Sequence, residues 1–443
     1  MAKRSLGYDV LLMALVRLGD PRGVVRATAR RAGWGHRRVS HAPALVVGSA
    51  ILVALASSSG GRPPAASAST AVHSATRSAQ PAVEATASPA GRSQTGYHLD
   101  LVRLESLRLG LVGLSGDFTS RATERPARLL VTTNFGARFD DISPPAAHAT
   151  RVDDVSFLDR KHGWVVIWNL DTVRVTVYRT NDGGRRWRAA SAGSHSQNAG
   201  AVDTVQFLTR RLGWLVAQEP TAPGAGLFAT RNGGASWHAV ADLPEVAPVE
   251  FESPTEVWQA GGPDSRALFR SADGGRSWRP IKLPIPDSER EASALYGPPA
   301  FFGHETLAPV TLVRGHGADL AVYSSTDDGR HWRKATLLAI RGVEPAPCLP
   351  TTLSVSFTSR RDWWAAAYRS GRPVVYHTTT AGRAWHARQI AAPHPVAGCP
   401  LPQVHAASSR AAWALLRGAR EQNLYATTDA GKRWRLVHTT RVR

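Results

Sequence analysis

Beyond residue 98 the apolar and polar positions alternate in short runs, and no stretch of helical period interrupts them. The runs "DDVSFL", "GWVVIWN" and "VTVYRT" are followed by the turn string "TNDGGRRW" and a fourth run, "RWRAA". A period of two predicts half-buried β-strands. The same group of four strands and one turn then returns along the chain.

The turn string is the clearest mark of the repeat. A hydroxyl residue, an Asp or Asn two positions on, a Gly two further and a closing aromatic recur as "TTNFGARF", "TNDGGRRW", "TRNGGASW", "SADGGRSW", "STDDGRHW", "TTTAGRAW" and "TTDAGKRW", seven boxes in all. Their third positions are Asn134, Asp182, Asn232, Asp273, Asp327, Thr380 and Asp429, and their glycines are Gly136, Gly184, Gly234, Gly275, Gly329, Gly382 and Gly431. The aromatics are Phe139, Trp187, Trp237, Trp278, Trp332, Trp385 and Trp434, spaced by 48, 50, 41, 54, 53 and 49 residues. A second motif keeps register upstream: Phe157 precedes Trp164 by seven positions, as do Phe207 and Trp214, Phe251 and Trp258, and Phe357 and Trp364. Weaker copies pair Leu104 with Leu111, Phe301 with Ala308, and Ala406 with Trp413.

Seven four-stranded units predict an all-β, seven-bladed β-propeller over residues 99–443. Within each box the Asp side chain should accept N–H groups of its own turn, and the Gly should supply a positive φ. The closing aromatic should fold back as an anchor; a buried Trp of about 200 Å² gives roughly 5 kcal/mol gross, several times one neutral hydrogen bond. It should therefore outrank the Asp in stability, in keeping with Thr380 standing where the sixth box lacks its acid. Two ring closures are open: each blade built from consecutive strands, or "YHLDLVRL" shared across the seam.

Ahead of the repeats the composition changes. Residues 1–41 form a basic lead, and residues 42–60 contain the apolar core "APALVVGSAILVALA", which predicts either an uncleaved signal anchor or a cleaved signal peptide. The basic flank keeps the N-terminus in the cytoplasm and sends the rest outward. Residues 61–98, rich in Ser, Ala, Pro and Thr, predict a disordered tether. The chain is thus expected at the cell membrane as a single-pass protein with its propeller outside, or secreted if the segment is cleaved. Cys348 and Cys399 lie 51 residues apart, one repeat period, and in an oxidising compartment they predict a disulfide. Two thiols without a His pair fall short of a metal site, and no cofactor fingerprint stands in a usable context.

The formal charge is +20, of which the repeats carry +11 from 42 basic and 31 acidic residues. Such a balance permits anionic partners, but the Arg residues are scattered along the chain, and specific nucleic-acid binding is not expected.

The boxes resemble Asp-box (BNR) repeats, and with the upstream Phe-x6-Trp element the chain is similar to the photosystem II stability/assembly factor family of seven-bladed propellers and its non-photosynthetic bacterial relatives. The resemblance implies that the boxes are structural turns. It departs from that family in the basic lead, the tether, Asn134 and Asn232, and Thr380. Asp boxes also occur in sialidases, but the Arg-Ile-Pro string of those enzymes is missing and "ERPARLL" at 124–130 reads as the approach to a strand. Acidic pairs such as Asp153 with Asp154 or Glu289 with Glu291 read as solvated loop charges, and "RGHGAD" around His316 as a plain turn. The expectation is a non-enzymatic, monomeric binding or assembly scaffold in the cell envelope, with an envelope protein or a glycan as partner; the alternative is an extracytoplasmic, sialidase-like glycoside hydrolase using the propeller funnel. Segments "PVEFESPTEV", "PIPDSEREASALYGPP" and "RGVEPAPCLP" are expected as insertions that shape the contact surface.

Overall fold

Alternating runs pair in the order in which the chain presents them. In a computed structural model, which describes residues 83–84, 89–90, 93–116, 125–145, 150–169, 174–190, 202–218, 225–261, 267–285, 293–314, 317–340, 352–391, 401–418 and 420–441, the second repeat forms strands Thr150–Phe157, Gly163–Asn169, Arg174–Thr180 and Arg186–Ala190. Each is antiparallel to the next. Seven such sheets follow one another, and they are blades one to seven in chain order. The lead, the apolar segment 42–60, Cys348, Cys399, Glu289, Glu291 and His316 lie outside the described residues. Among the described residues no helix is long and apolar enough to cross a membrane.

First strands surround the axis. Thr150–Phe157 of blade two meets Val202–Phe207 of blade three, Ser354–Phe357 of blade six meets Gln403–Ala406 of blade seven, and the latter meets Tyr97–Ser106 of blade one. The boxes follow the third strands, on the same face as the hairpins between first and second strands. Chain segments linking second to third strands, and each blade to the next, leave from the opposite face.

The core consists of seven apolar layers, one between each pair of neighbouring blades. Leu111, Val155, Phe157 and Trp187 pack between blades one and two, and Leu99, Val112, Trp413 and Leu424 between blades seven and one. The other five layers join the remaining neighbours in turn. Because side chains alternate between the two faces of each sheet, every blade serves two layers, and the ring is closed.

The seam settles the two closures. "YHLDLVRL" belongs to blade one, where Tyr97 pairs with Gly116, so the four main strands of each blade follow one another in the chain. The strap Ser93–Thr95 lies parallel to the last strand, Arg435–Arg441, with Ser93 opposite Thr439. The Gly96 N–H then donates to the Arg441 carbonyl at 2.7 Å. Part of the expected tether therefore forms edge strands: Pro89–Ala90 also pairs with the outer strand of blade one and Val83–Glu84 with that of blade two. Two expected insertions are corrected as well. "PVEFESPTEV" contains strand Val249–Phe251 of blade four, and Ser293–Tyr296 is an inner strand of blade five.

Candidate functional site

In all seven boxes the hydroxyl of the first residue accepts the N–H of the box glycine at 2.8–3.1 Å. The side-chain oxygen of the third residue accepts the N–H four positions on, at 2.9 Å each time. Thr380 makes this second bond with its hydroxyl, so the sixth box keeps the turn without the acid. Every box glycine has φ between +74° and +90°. The residue before it is left-handed too, and four of these are not glycine: Phe135, Asp328, Ala381 and Ala430, at +54° to +62°. That second position carries no fixed residue type, so no pattern along the chain marks it.

The charged boxes show what these bonds do to a carboxylate. The Ser277 hydroxyl and N–H, with Ser271, hold Asp273 well below the ordinary carboxylate range. The His331 N–H does the same for Asp327 and the Arg433 N–H for Asp429. An acid so committed to its own turn is a poor proton donor or nucleophile.

The closing aromatics divide. Phe139, Trp187 and Trp237 are buried, whereas Trp278, Trp332, Trp385 and Trp434 are half-buried. The expectation that every box aromatic is the main anchor is corrected on this point. The upstream aromatics carry more of the burial: Trp164, Trp214, Trp258, Trp364 and Trp413 are each 4% exposed or less. They reach across to the following blade. Trp164 stacks on Phe207 at 3.6 Å and Trp214 on Phe251 at 3.9 Å, and the Trp164 indole N–H donates to the Gly233 carbonyl of the third box at 3.0 Å. Box glycines allow this approach, since a Cβ on Gly329 would lie 2.3 Å from the Trp258 ring.

Around the axis, polar side chains of one first strand satisfy backbone N–H groups of the next. Asp154 accepts Val205 N–H at 2.8 Å, Ser156 accepts Phe207 N–H at 2.9 Å, Gln206 accepts Phe251 N–H at 2.7 Å, and Ser356 accepts Ala406 N–H at 3.0 Å. An inner edge strand has no sheet neighbour for these donors. Asp154 also receives Arg103 of blade one at 2.7 Å, and Glu250 of blade four receives the Gln206 amide at 3.3 Å.

Asp153 and Asp154 are therefore not solvated loop charges. They sit in the first strand of blade two, buried, at a register shift between Val152 and Asp154 that turns the two acids to different partners. Asp153 pairs with Arg151 at 2.5 Å, and that guanidinium lies 4.5 Å over the Trp168 ring. Burial opposes the Arg103 charge, but Asp154, with Glu105 and Glu250, outweighs it and raises the guanidinium pKa. His405 of blade seven is pushed down to about 3 by burial, then by Arg103 and Arg417. It is a neutral imidazole whose Nε2 has no hydrogen-bond partner among the described residues. Arg103, Glu105, Asp154, Glu250 and His405 thus gather from blades one, two, four and seven. No sequence motif joins them.

Chemically, this cluster offers carboxylates near one guanidinium, but Asp154 and Glu250 are each 2% exposed. Among the described residues no group of three potential ligands could hold a metal ion. "ERPARLL" ends as expected in strand Arg128–Thr132.

No protein-family model matches the chain. No curated protein matches it in sequence. Among solved structures, YCF48 from Cyanidioschyzon merolae is similar over 67% of this chain and 87% of its own, at 17% identity and a TM-score of 0.44. The β-propeller domain of the Trilobed protease from Pyrococcus furiosus is similar over 77% and 95%, at 9% identity and 0.48. The α-L-arabinanase of Penicillium chrysogenum is similar over 52% and 76%, at 10% identity and 0.33.

Proposed function

We propose that this protein is an exported propeller of Asp-box repeats, tethered to the membrane by residues 42–60, that serves as a non-enzymatic binding or assembly scaffold in the cell envelope. One observation carries the reading: Asp154 and Glu250, the two buried carboxylates of the axial cluster, are enclosed and engaged. Asp154 is shared between Arg103 and the Val205 N–H, and at 2% exposure neither it nor Glu250 meets solvent enough to receive a sugar. Ion pairs so placed hold blades in register rather than perform chemistry. The partner is an envelope protein or a glycan, the ring acts as a monomer, and Cys348 with Cys399 forms a disulfide outside the cytoplasm. Protease digestion of intact and broken cells tests the topology, and cross-linking in the host followed by identification of the captured partner tests the scaffold role. A propeller cleaved only after cell breakage, or cross-links only to cytoplasmic proteins, would refute it.

A second reading, an extracytoplasmic glycoside hydrolase, draws support from the convergence of Glu105, Asp154 and Glu250 on Arg103. Hydrolysis of sialyl or glucan substrates that Glu250→Gln abolishes, with folding intact, would put it first.

A further inference from the structure

The basic residues that look scattered in sequence fall on two repeated positions. Five of the seven first hairpins carry a cation at the same tip position, Arg108, Lys161, Arg211, Arg361 and Arg410, and all five are exposed. Five of the seven boxes carry one at the sixth position, Arg185, Arg276, Arg330, Arg383 and Lys432, again all exposed. A hydrogen bond links the two sets. The N–H of the fourth box residue donates to the carbonyl of the hairpin residue: Gly183 to Lys161 at 3.0 Å, Gly233 to Arg211, Ala381 to Arg361 and Ala430 to Arg410, each at 2.9 Å. In blades two, six and seven this bond joins a hairpin cation to a box that carries another, and because hairpins and boxes leave the same face of every blade, both sets of cations lie on one face of the ring.

The acids on this face keep their charge, Glu252, Glu256, Glu305 and Asp328 with those of the boxes, but the ten cations, with exposed Arg160, Arg210 and Arg360 beside the hairpin tips, outnumber them. Asp182, Asp273, Asp327 and Asp429 accept N–H groups of their own turns, and Asp159 is paired with His162 at 2.8 Å. The cations sit on short turns in a ring, which suits a plane of negative charge better than a thread. Leu107, 48% exposed beside Arg108, adds an apolar tip to the same face.

We infer that the turn face of the propeller docks on an anionic phospholipid surface. The inference rests on the proposed tether, which would hold the ring close to the bilayer. Guanidinium and ammonium groups near an anionic leaflet gain from its surface potential, and the gain fades with salt.

The full chain, reconstituted in nanodiscs, is the test. A dye on an unnatural side chain replacing Ala235, on the turn face, or Arg420, on the opposite face, is read by energy transfer to a headgroup acceptor. In phosphatidylglycerol-rich discs the Ala235 dye should lie nearer the lipid than the Arg420 dye, and the difference should vanish in phosphatidylcholine or at high salt. The variant K161Q/R211Q/R361Q/R410Q should lose it too, because each cation removed weakens docking about fivefold. Equal distances in anionic discs, or a difference that survives in phosphatidylcholine, overturn the inference; so does displacement by duplex DNA, which would make the face a general polyanion site. If the chain fails to insert, the tether fails instead, and the face is read by co-sedimentation with phosphatidylglycerol vesicles. Binding that the fourfold variant weakens by roughly six-hundredfold then supports the inference, and no binding overturns it.

Discussion

Replacing Gly329 by alanine adds one methyl group to a turn held at φ +74°, and that methyl would sit 2.3 Å from the Trp258 ring of the preceding blade. Gly431 gives a built-in control. Its φ is +79°, yet its methyl would lie 3.5 Å from the Trp364 ring, in ordinary contact. Both substitutions carry the left-handed strain of a residue with a Cβ, about 1–2 kcal/mol, less what the stiffer unfolded chain returns. Only Gly329→Ala adds the overpacking of a full layer, a further 1–3 kcal/mol. For the propeller of about 340 residues the unfolding entropy is near 0.7 kcal/mol/K, so the Gly431→Ala melt should fall by about 1–2 °C and the Gly329→Ala melt by about 3–6 °C. Tryptophan fluorescence during thermal and urea unfolding reads both. Trp258→Phe, which removes the ring edge that the methyl meets, should recover part of the loss in a double-mutant cycle. Equal destabilisation at the two glycines, or no coupling with Trp258, would refute the view that upstream tryptophans lock onto the next blade's box.

Thr180→Ala should cost about 1–3 kcal/mol in urea unfolding, because the buried Gly184 N–H loses its acceptor, while Thr380→Asp should gain about 0.5 kcal/mol by restoring a charged acceptor in the sixth box. Removing one member of the Arg103–Asp154 pair should cost about 3–5 kcal/mol, and the double change to Met and Leu far less than the sum. Stability should also fall with acid. His438 is pushed down to about 4 by burial and Arg128, and His405 to about 3, against 6.5 for the free side chain. The unfolded chain binds the protons that the folded one refuses, so this contribution is complete above about pH 6.5 and is lost as pH falls toward 4. His438→Phe should flatten the urea midpoint between those pH values, and an unchanged slope would count against the assignment.

The repeat made much of this molecule legible. Hydroxyl, Asp, Gly and aromatic at fixed spacing define one hairpin corner, and seven copies leave little choice of architecture. Partnerships between copies were hidden, because no spacing states that Trp164 belongs under the box at Gly233 rather than its own. The axial cluster was hidden for a similar reason: Arg103, Asp154 and Glu250 come from three blades and share no motif. Asp153 and Asp154 looked like a loop because two adjacent acids break the alternation, and a bulge in the strand is what accommodates them. The basic face was present in the residues, but it emerges only when the hairpin and box registers are aligned.

The strap at Ser93–Thr95 has a kinetic consequence. Each blade can form from neighbouring stretches of chain, whereas the seam joins partners 346 positions apart, Ser93 and Thr439. Assembly can therefore proceed blade by blade as an open crescent, and circular order arrives only when the final strand meets a segment made before all the others. Cutting the chain between the strap and blade one would leave seven intact sheets and a weakened clasp, shortening the lifetime of the native ring more than it lowers the content of β-structure.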